Sequence, residues 1–68
     1  MESIVIDSSN IKSPLFYDEG NKELIVFFKS GSLYKYKEVT IDDIENFKKS
    51  KNKTKYLKEN LFRYTKVY

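Results

Sequence analysis

The sequence predicts a small α+β domain: an antiparallel β-sheet of four to five strands with one or two short α-helices packed on it. Two alternating runs on either side of a glycine-containing loop, within residues 23–37, predict a β-hairpin. After Val39 the apolar spacing changes from two residues to nearly four, which indicates a helix. A chain of 68 residues without a linker-like segment is long enough for one domain, spanning residues 1–68.

The N-terminal segment predicts two short strands. Residues 4–6, Ile-Val-Ile, are a β-branched run and form the first strand. A turn follows at residues 7–10, because Asp, Ser and Asn side chains hydrogen-bond to nearby backbone and compete with regular structure. Pro14 disfavours a helix, and residues 15–17, Leu-Phe-Tyr, form the second strand before a turn at 18–21.

The hairpin that follows is the strongest local signal. Residues 23–28 alternate so that the even-numbered side chains form one apolar face. Residues 29–32 contain Gly31 and form the turn. Residues 33–37 alternate again, with two tyrosines on one face and two lysines on the other. This segment therefore supplies the third and fourth strands.

A short helix is predicted directly after Thr40. Thr40 is a good N-cap residue, and Asp43, three residues later, completes an approximate capping box. Ile41, Ile44 and Phe47 fall on one helical stripe, which is expected to pack on the sheet.

The C-terminal third of the chain is basic and less regular. Residues 48–55, KKSKNKTK, predict a frayed helix end and a loop, and residues 56–62 can form one or two helical turns. Residues 63–68 alternate weakly and predict a closing strand. The expected order of elements is therefore β-β-β-β-α-(α)-β.

The chain also carries the pattern of a known family. The matching residues are Ser8-Ser9-Asn10-Ile11, then Phe16-Tyr17-Asp18, then Leu24-x-Val26-x-Phe28-x-x-Gly31-x-x-Tyr34-x-Tyr36-x-x-Val39. This pattern resembles the KTSC domain, a family named for its occurrence at the C-terminus of some lysyl-tRNA synthetases and also found as small stand-alone bacterial and phage proteins. The resemblance extends from about Ser8 to Tyr64 and centres on Tyr34-Lys35-Tyr36.

The resemblance implies the fold and, through the family's place on a tRNA ligase, RNA binding. After Ser50 the sequence departs from the family pattern, because Lys51 and Asn52 stand where the family has a glycine-containing segment. The loop after Ser50 is more basic than the corresponding segment of the family. A function attached to that segment of the family is therefore not assigned to this loop.

Charge is unevenly distributed along the chain, although the net charge is only +3. Residues 1–47 carry five lysines and nine carboxylates, whereas residues 48–68 carry seven lysines, one arginine and one glutamate. Basic side chains supply most non-specific affinity for nucleic acids, so we expect phosphate contacts from Lys51, Lys53, Lys55, Lys58 and Arg63. The alternative is a solvated loop. Twelve lysines against one arginine argue against recognition of base edges.

Tyr34 and Tyr36 are the first candidates for contact with a base. Alternate aromatic residues on a sheet face can stack on unpaired bases, at about 1–3 kcal/mol per base. The alternative is that both rings pack in the core, although phenylalanine would fill a core without a hydroxyl group to satisfy. Further aromatic residues interleave with the C-terminal charges, namely Tyr56, Phe62, Tyr64 and Tyr68.

Ile25, Phe27 and Leu33 are expected on the opposite face, where a sheet normally contacts solvent. Apolar side chains on both faces indicate either a second covering layer or a surface that binds a partner. The alternative to nucleic-acid binding is therefore a phage or mobile-element protein that binds or inhibits a host protein through this face or a sheet edge. A homodimer is a third interpretation.

The sequence offers little material for catalysis. It has no cysteine and no histidine, which excludes disulfides and thiolate or imidazole metal sites. Capping and the helix dipole account for the carboxylates of Asp42, Asp43 and Glu45, and the serines have no base to activate them. We therefore expect no enzyme activity, no metal and no cofactor.

No apolar run approaches the roughly 20 residues that span a membrane, and the N-terminus begins with an acidic residue where a signal peptide is basic. A cytoplasmic protein without membrane contact is expected. The favoured function is a small binding module that contacts nucleic acid, RNA before DNA, through its basic C-terminal surface and tyrosines.

Overall fold

The computed structural model describes residues 1–61 and 63–68, which form a five-stranded antiparallel sheet and two α-helices. In chain order the elements are β1 (Glu2–Ile4), β2 (Leu15–Asp18), β3 (Glu23–Phe27), β4 (Leu33–Tyr36), α1 (Ile41–Lys49), α2 (Lys53–Asn60) and β5 (Tyr64–Lys66). The strands lie side by side in chain order, so β1 and β5 are the two edges. The predicted α+β class is confirmed. Within the described part of the chain, no helix has the length and apolar character needed to cross a membrane.

The register of the strands places the buried residues on one face of the sheet. Leu24 pairs with Tyr36 and Val26 pairs with Tyr34, and paired residues of antiparallel strands share a face. The helices cover this face and contribute Phe47 to its core. The complete buried cluster consists of Ile4, Ile11, Leu15, Tyr17, Leu24, Val26, Tyr36, Val39, Ile44, Phe47, Leu57 and Leu61.

The first strand lies earlier than the predicted residues 4–6. It ends at Ile4, which pairs with Leu15. Val5 is 82% exposed, and the Ile6 amide donates to a serine hydroxyl at 3.1 Å instead of to a strand. The strand position predicted from the β-branched composition of residues 4–6 is therefore wrong. Pairing with β2 determines where the strand ends.

α1 begins at the predicted capping residue. The Thr40 hydroxyl accepts from the Asp43 amide at 3.2 Å, and the Asp43 carboxylate accepts from the Thr40 amide at 3.0 Å, so the capping box is confirmed. The prediction that Ile41 joins the buried stripe of this helix is wrong, because Ile41 is 52% exposed. Val39, just before the cap, is fully buried and fills the core at this end of the helix.

α2 begins at Lys53, inside the segment 48–55 whose composition predicts a helix end and a loop. Asn52 is the N-cap, and its side-chain oxygen accepts from an amide of the first turn at 3.0 Å. A lysine-rich sequence forms a helix here because this cap satisfies an otherwise unpaired amide and Leu57 is buried in the core. The loop between the two helices is therefore shorter than the sequence predicts. Phe62, the last residue of the predicted helical turns, lies outside the described residues.

Candidate functional site

Four aromatic rings cluster on the helix-facing side of the sheet. Tyr34 and Tyr36 lie two residues apart on β4, and their rings stack with centroids 6.3 Å apart. Tyr64 of β5 pairs with Tyr36, and its ring centroid lies 5.5 Å from those of both β4 tyrosines. Phe28 contacts Tyr34 edge-on, with centroids 5.3 Å apart. The rings hold one another in place, so an aromatic surface is formed without a ligand.

A groove of about 510 Å³ lies over this cluster, and we call it the aromatic groove. Its volume is typical of small-molecule binding sites, which measure about 300–1,000 Å³. Five parts of the chain supply its walls, which consist of Ser9, Asn10, Phe28, Lys29, Ser30, Ser32, Tyr34, Tyr36, Thr54, Leu57, Lys58 and Tyr64. The groove therefore combines aromatic rings, hydroxyl and amide groups, and two ammonium groups.

The two tyrosines predicted to contact a base have different surroundings. Tyr36 is only 6% exposed and belongs to the core. Tyr34 is half-buried and packs against that core, whereas Tyr64 is 55% exposed. A planar ligand in the groove can therefore stack on Tyr34 or Tyr64, whose rings both contact that of Tyr36.

A smaller cavity of about 280 Å³ adjoins the aromatic groove and shares Ser9, Asn10 and Thr54 with it. Polar side chains line this cavity, among them Lys51 and Asn52. The N-terminal turn that carries Ser9 and Asn10 therefore borders both cavities.

The basic residues predicted to contact phosphates lie in several places. Lys58 borders the aromatic groove, and Lys51 and Lys53 border the smaller cavity. Lys55 is exposed on α2 and lies outside the described walls of both cavities. The structure thus brings Lys58 close to the tyrosines, while the other lysines lie beside or outside this site.

Lys53 also stabilises the junction between the helices. Its ammonium group donates to the carbonyl of Lys48 at 3.1 Å and to the carbonyl of Ser50. The same group lies 5.9 Å from the centroid of the Phe47 ring. A cation at the C-terminal end of α1 is favoured by the helix dipole, so part of the charge of Lys53 is used within the fold.

Arg63 forms an ion pair with Glu38. Its Nη1 and Nε atoms each donate to a different carboxylate oxygen of Glu38, both at 3.1 Å. Both side chains are mainly exposed, so the pair stabilises the fold by about 0–1 kcal/mol at most. It nevertheless compensates the guanidinium charge, and Arg63 lies outside the described walls of the aromatic groove.

The acidic residues at the start of α1 have a structural role. The Asp43 carboxylate accepts from the Thr40 amide, as the capping box requires, and also from the Thr40 hydroxyl. Across residues 1–61 and 63–68, no group of three or more side chains comes together that could hold a metal ion.

Three groove residues carry little signal in the sequence. Asn10 and Lys29 lie in turns, where composition indicates only turn chemistry. Thr54 lies in the segment whose composition predicts a loop. Tyr64 carries more signal, because pairing the predicted closing strand with β4 places it beside Tyr36.

Among the described residues, neither helix packs on the other face of the sheet. Phe27 is 40% exposed and pairs with Leu33. Ile25, two residues away on the same face, pairs with Phe16, which is 37% exposed. These four side chains form a second candidate site, the apolar sheet face.

Burial, together with the neighbouring phenols of Tyr34 and Tyr64, raises the pKa of Tyr36 to about 12. Burial likewise raises the pKa of Tyr17, whose hydroxyl donates to the Val39 carbonyl at 2.5 Å. Tyr36, which lies in the wall of the groove, therefore stays neutral to a higher pH than an exposed tyrosine does.

Stability is expected to fall between pH 10 and pH 12. The folded-state pKa of Tyr36, about 12, lies above the ordinary tyrosine value of 10.0. The neutral ring therefore stabilises the fold fully below pH 10, and this contribution is lost as the pH rises through 12. At about 1.4 kcal/mol per pKa unit, the loss approaches roughly 2–3 kcal/mol.

Urea unfolding from pH 8 to pH 11 measures the first half of this loss, about 1.4 kcal/mol. Tyr36→Phe removes the ionisable group and is expected to flatten the pH dependence. Tyr68→Phe is the matched control, because Tyr68 is 82% exposed. An equally steep decline in the two variants would assign the effect to other groups.

Comparisons with known proteins identify the family. The KTSC domain model matches residues 7–64. The crystal structure of a KTSC domain protein from Yersinia pestis has a similar fold, with a TM-score of 0.75 and 24% sequence identity over 98% of this chain and 97% of that chain. No curated protein matches the sequence. Because the family model covers most of the chain, from the N-terminal turn to Tyr64 in the last strand, the protein belongs to the KTSC domain family.

Proposed function

We propose that the protein is a non-catalytic module that binds single-stranded nucleic acid, RNA before DNA, in the aromatic groove. The observation that supports this proposal most strongly is the placement of two lysines, Lys29 and Lys58, around the accessible rings of Tyr34 and Tyr64. Aromatic rings stack on unpaired bases of any sequence, and ammonium groups nearby neutralise phosphates. RNA is preferred because proteins recognise RNA mainly at single-stranded bases that stack on aromatic side chains.

The backbone of the bound strand follows the lysines on the same side of the molecule. It extends from Lys58 along the smaller cavity towards Lys51 and Lys53. Lys55 adds to the positive potential without bordering the groove, and Arg63 contributes once its pairing with Glu38 is broken. Such contacts bind phosphates without regard to sequence.

Tyr34→Ala is expected to weaken binding of a labelled single-stranded RNA about tenfold. Loss of one stacking ring costs about 1–3 kcal/mol, and about 1.4 kcal/mol corresponds to a tenfold change in affinity. Fluorescence anisotropy with an eight-nucleotide RNA at low salt measures the dissociation constant. Tyr64→Ala provides a second measurement at a ring that is 55% exposed and contributes less to the fold.

Tyr68→Ala is the matched control, because Tyr68 is 82% exposed and lies outside the described walls of the groove. Circular dichroism checks that each variant is folded. Titrations with DNA of the same sequence and with an RNA duplex compare the ligand classes. Affinity that is insensitive to salt, or unchanged in both groove variants, would refute binding in the groove.

A second candidate function rests on the apolar sheet face. In this alternative the chain is a phage or mobile-element protein that binds a host protein through Ile25, Phe27 and Leu33. The observation that favours it is that the register places these side chains and Phe16 on one face, where Phe16 is 37% and Phe27 is 40% exposed. Exposed surfaces of this kind often mark protein contacts. Binding of a second copy of the chain to this face would appear as a concentration-dependent mass in light scattering.

A further inference from the structure

We propose that the apolar sheet face joins two copies of this chain in a symmetric dimer. On this face Phe16 is 37% and Phe27 is 40% exposed, and Ile25 and Leu33 are half-buried. Val67 lies beside Leu33, because its amide donates to the Leu33 carbonyl at 2.7 Å, and it is 54% exposed. Contact with a second apolar surface removes these side chains from water, which favours association.

Charged side chains on this face are divided between its two sides. Asp18 of β2 pairs with Glu23 of β3, so both carboxylates share the face. Lys35 of β4 lies on the same face, 3.9 Å from the Glu23 carboxylate. The pairing of β4 with the last strand continues to Lys37, whose amide donates to the Arg63 carbonyl at 2.6 Å. The acidic groups therefore lie on the side of β2 and β3, and the two lysines lie on the side of β4.

A twofold axis parallel to the strands, between β3 and β4, matches this division. Rotation about it keeps each end of the sheet in place and exchanges β3 with β4. Phe27 pairs with Leu33 within one sheet, so after the rotation Phe27 of each copy faces Leu33 of the other. In the same register, Glu23 of each copy faces Lys37 of the other.

One rotation therefore places apolar groups against apolar groups and carboxylates against ammonium groups. Each contact occurs twice, as in the self-complementary interface of a symmetric dimer. This internal match favours a second copy over an unrelated protein, which requires no such match within the face itself. The two sheets would lie about 10 Å apart, with their strands aligned to within about 30°.

The size of the face indicates a weak dimer. The strands contain three to five residues each, and five strands spaced by about 4.8 Å give a sheet about 24 Å wide. An interface of these dimensions belongs to the class that buries less than about 1,200 Å² in total and binds weakly. We therefore expect dissociation in the micromolar range.

Dimer formation leaves the aromatic groove open, because the groove lies on the helix-facing side of each sheet. The two grooves then lie on opposite outer sides of the dimer, and each binds its own ligand. Dimerisation therefore does not depend on nucleic-acid binding. The Phe27→Asp variant is expected to bind an eight-nucleotide RNA with the affinity of the unmodified protein.

Sedimentation equilibrium from about 5 to about 500 µM measures the association by mass action. The mass is expected to rise from near 8.1 kDa towards twice that value. Phe27→Asp is expected to remain near the monomer mass, because it places an unpaired carboxylate against an apolar side chain of the other copy. Ile41→Asp is the matched control, since it adds the same charge at a 52% exposed residue of α1.

A charge exchange tests the orientation of the two copies. Glu23→Lys alone places two ammonium groups together at two symmetric positions and is expected to weaken the dimer at least about fivefold. Glu23→Lys combined with Lys37→Glu restores opposite charges and is expected to recover most of the association. Circular dichroism checks that each variant is folded.

Methyl NMR of the unmodified protein provides a test that requires no variant. The methyl resonances of Ile25 and Leu33 are expected to shift with protein concentration, whereas that of Ile41 is expected to stay constant. A constant mass near 8.1 kDa across the concentration range would overturn the proposed dimer. Association that Phe27→Asp leaves unchanged, or concentration-dependent shifts confined to the helices, would overturn the assignment to this face. None of these results bears on RNA binding in the aromatic groove.

Discussion

Phe47→Ala is expected to destabilise the fold by about 3–5 kcal/mol, the usual cost of truncating a buried phenylalanine. The Phe47 side chain is fully buried, and its ring centroid lies 5.9 Å from that of Tyr56 and 5.9 Å from the Lys53 ammonium group. It therefore connects α1 to the first turn of α2. At about 0.05–0.15 kcal/mol per residue, a domain of this length has a total stability of similar size, so much of the variant is expected to unfold.

Thermal and urea unfolding followed by circular dichroism measure this effect. Ile41→Ala is the matched control on the same helix, because Ile41 is 52% exposed. The free energy of unfolding of the Ile41→Ala variant is expected to differ from that of the unmodified protein by less than about 0.5 kcal/mol, as for most surface substitutions. Similar midpoints for the two variants would contradict the packing of α1 through Phe47.

Reversing the charge of the two lysines in the aromatic groove is expected to remove most of the affinity for single-stranded RNA. Lys29→Glu combined with Lys58→Glu changes the formal net charge from +3 to −1, since each substitution changes it by two. Each phosphate contact contributes about 0.7 to the slope of log affinity against log salt concentration for single strands. We therefore expect the slope to decrease by about 1.4, with an affinity loss of at least about tenfold at low salt.

Lys35→Glu combined with Lys37→Glu is the matched control, because it changes the net charge equally. Lys35 lies on the apolar sheet face, 3.9 Å from the Glu23 carboxylate. A much smaller loss in this control would assign the affinity to the groove, whereas equal losses would indicate a general electrostatic attraction. If both pairs leave RNA binding unchanged and Phe27→Asp abolishes capture of a protein partner, the protein-binding alternative is supported instead.

The central hairpin was predictable from the sequence because its information is local. A period of two residues places Tyr34 and Tyr36 on one face, and the structure pairs them with Val26 and Leu24 on that face. The position of the first strand was not predictable in this way. Its end depends on the pairing of Ile4 with β2, a contact between separate segments of the chain.

The aromatic groove was less predictable than the strands. Tyr34, Tyr36 and Lys58 were recognisable as candidates, but the sequence does not indicate that Lys58 lies beside the two rings. That proximity requires α2, whose formation depends on the Asn52 cap and on burial of Leu57. A lysine-rich composition taken alone favours a loop, because propensity does not include tertiary packing.

β5 differs from the other strands in how its pairing forms. The strands from β1 to β4 pair with their neighbours in the chain, whereas both helices separate Tyr36 from its partner Tyr64. A longer loop costs more entropy to close, so the local hairpins are expected to form before this edge docks. All three residues of β5 are exposed, which makes the edge a candidate for the earliest local opening. A ligand stacked on Tyr64 binds only the docked state, so occupancy of the groove is expected to protect the amides of this edge from hydrogen exchange.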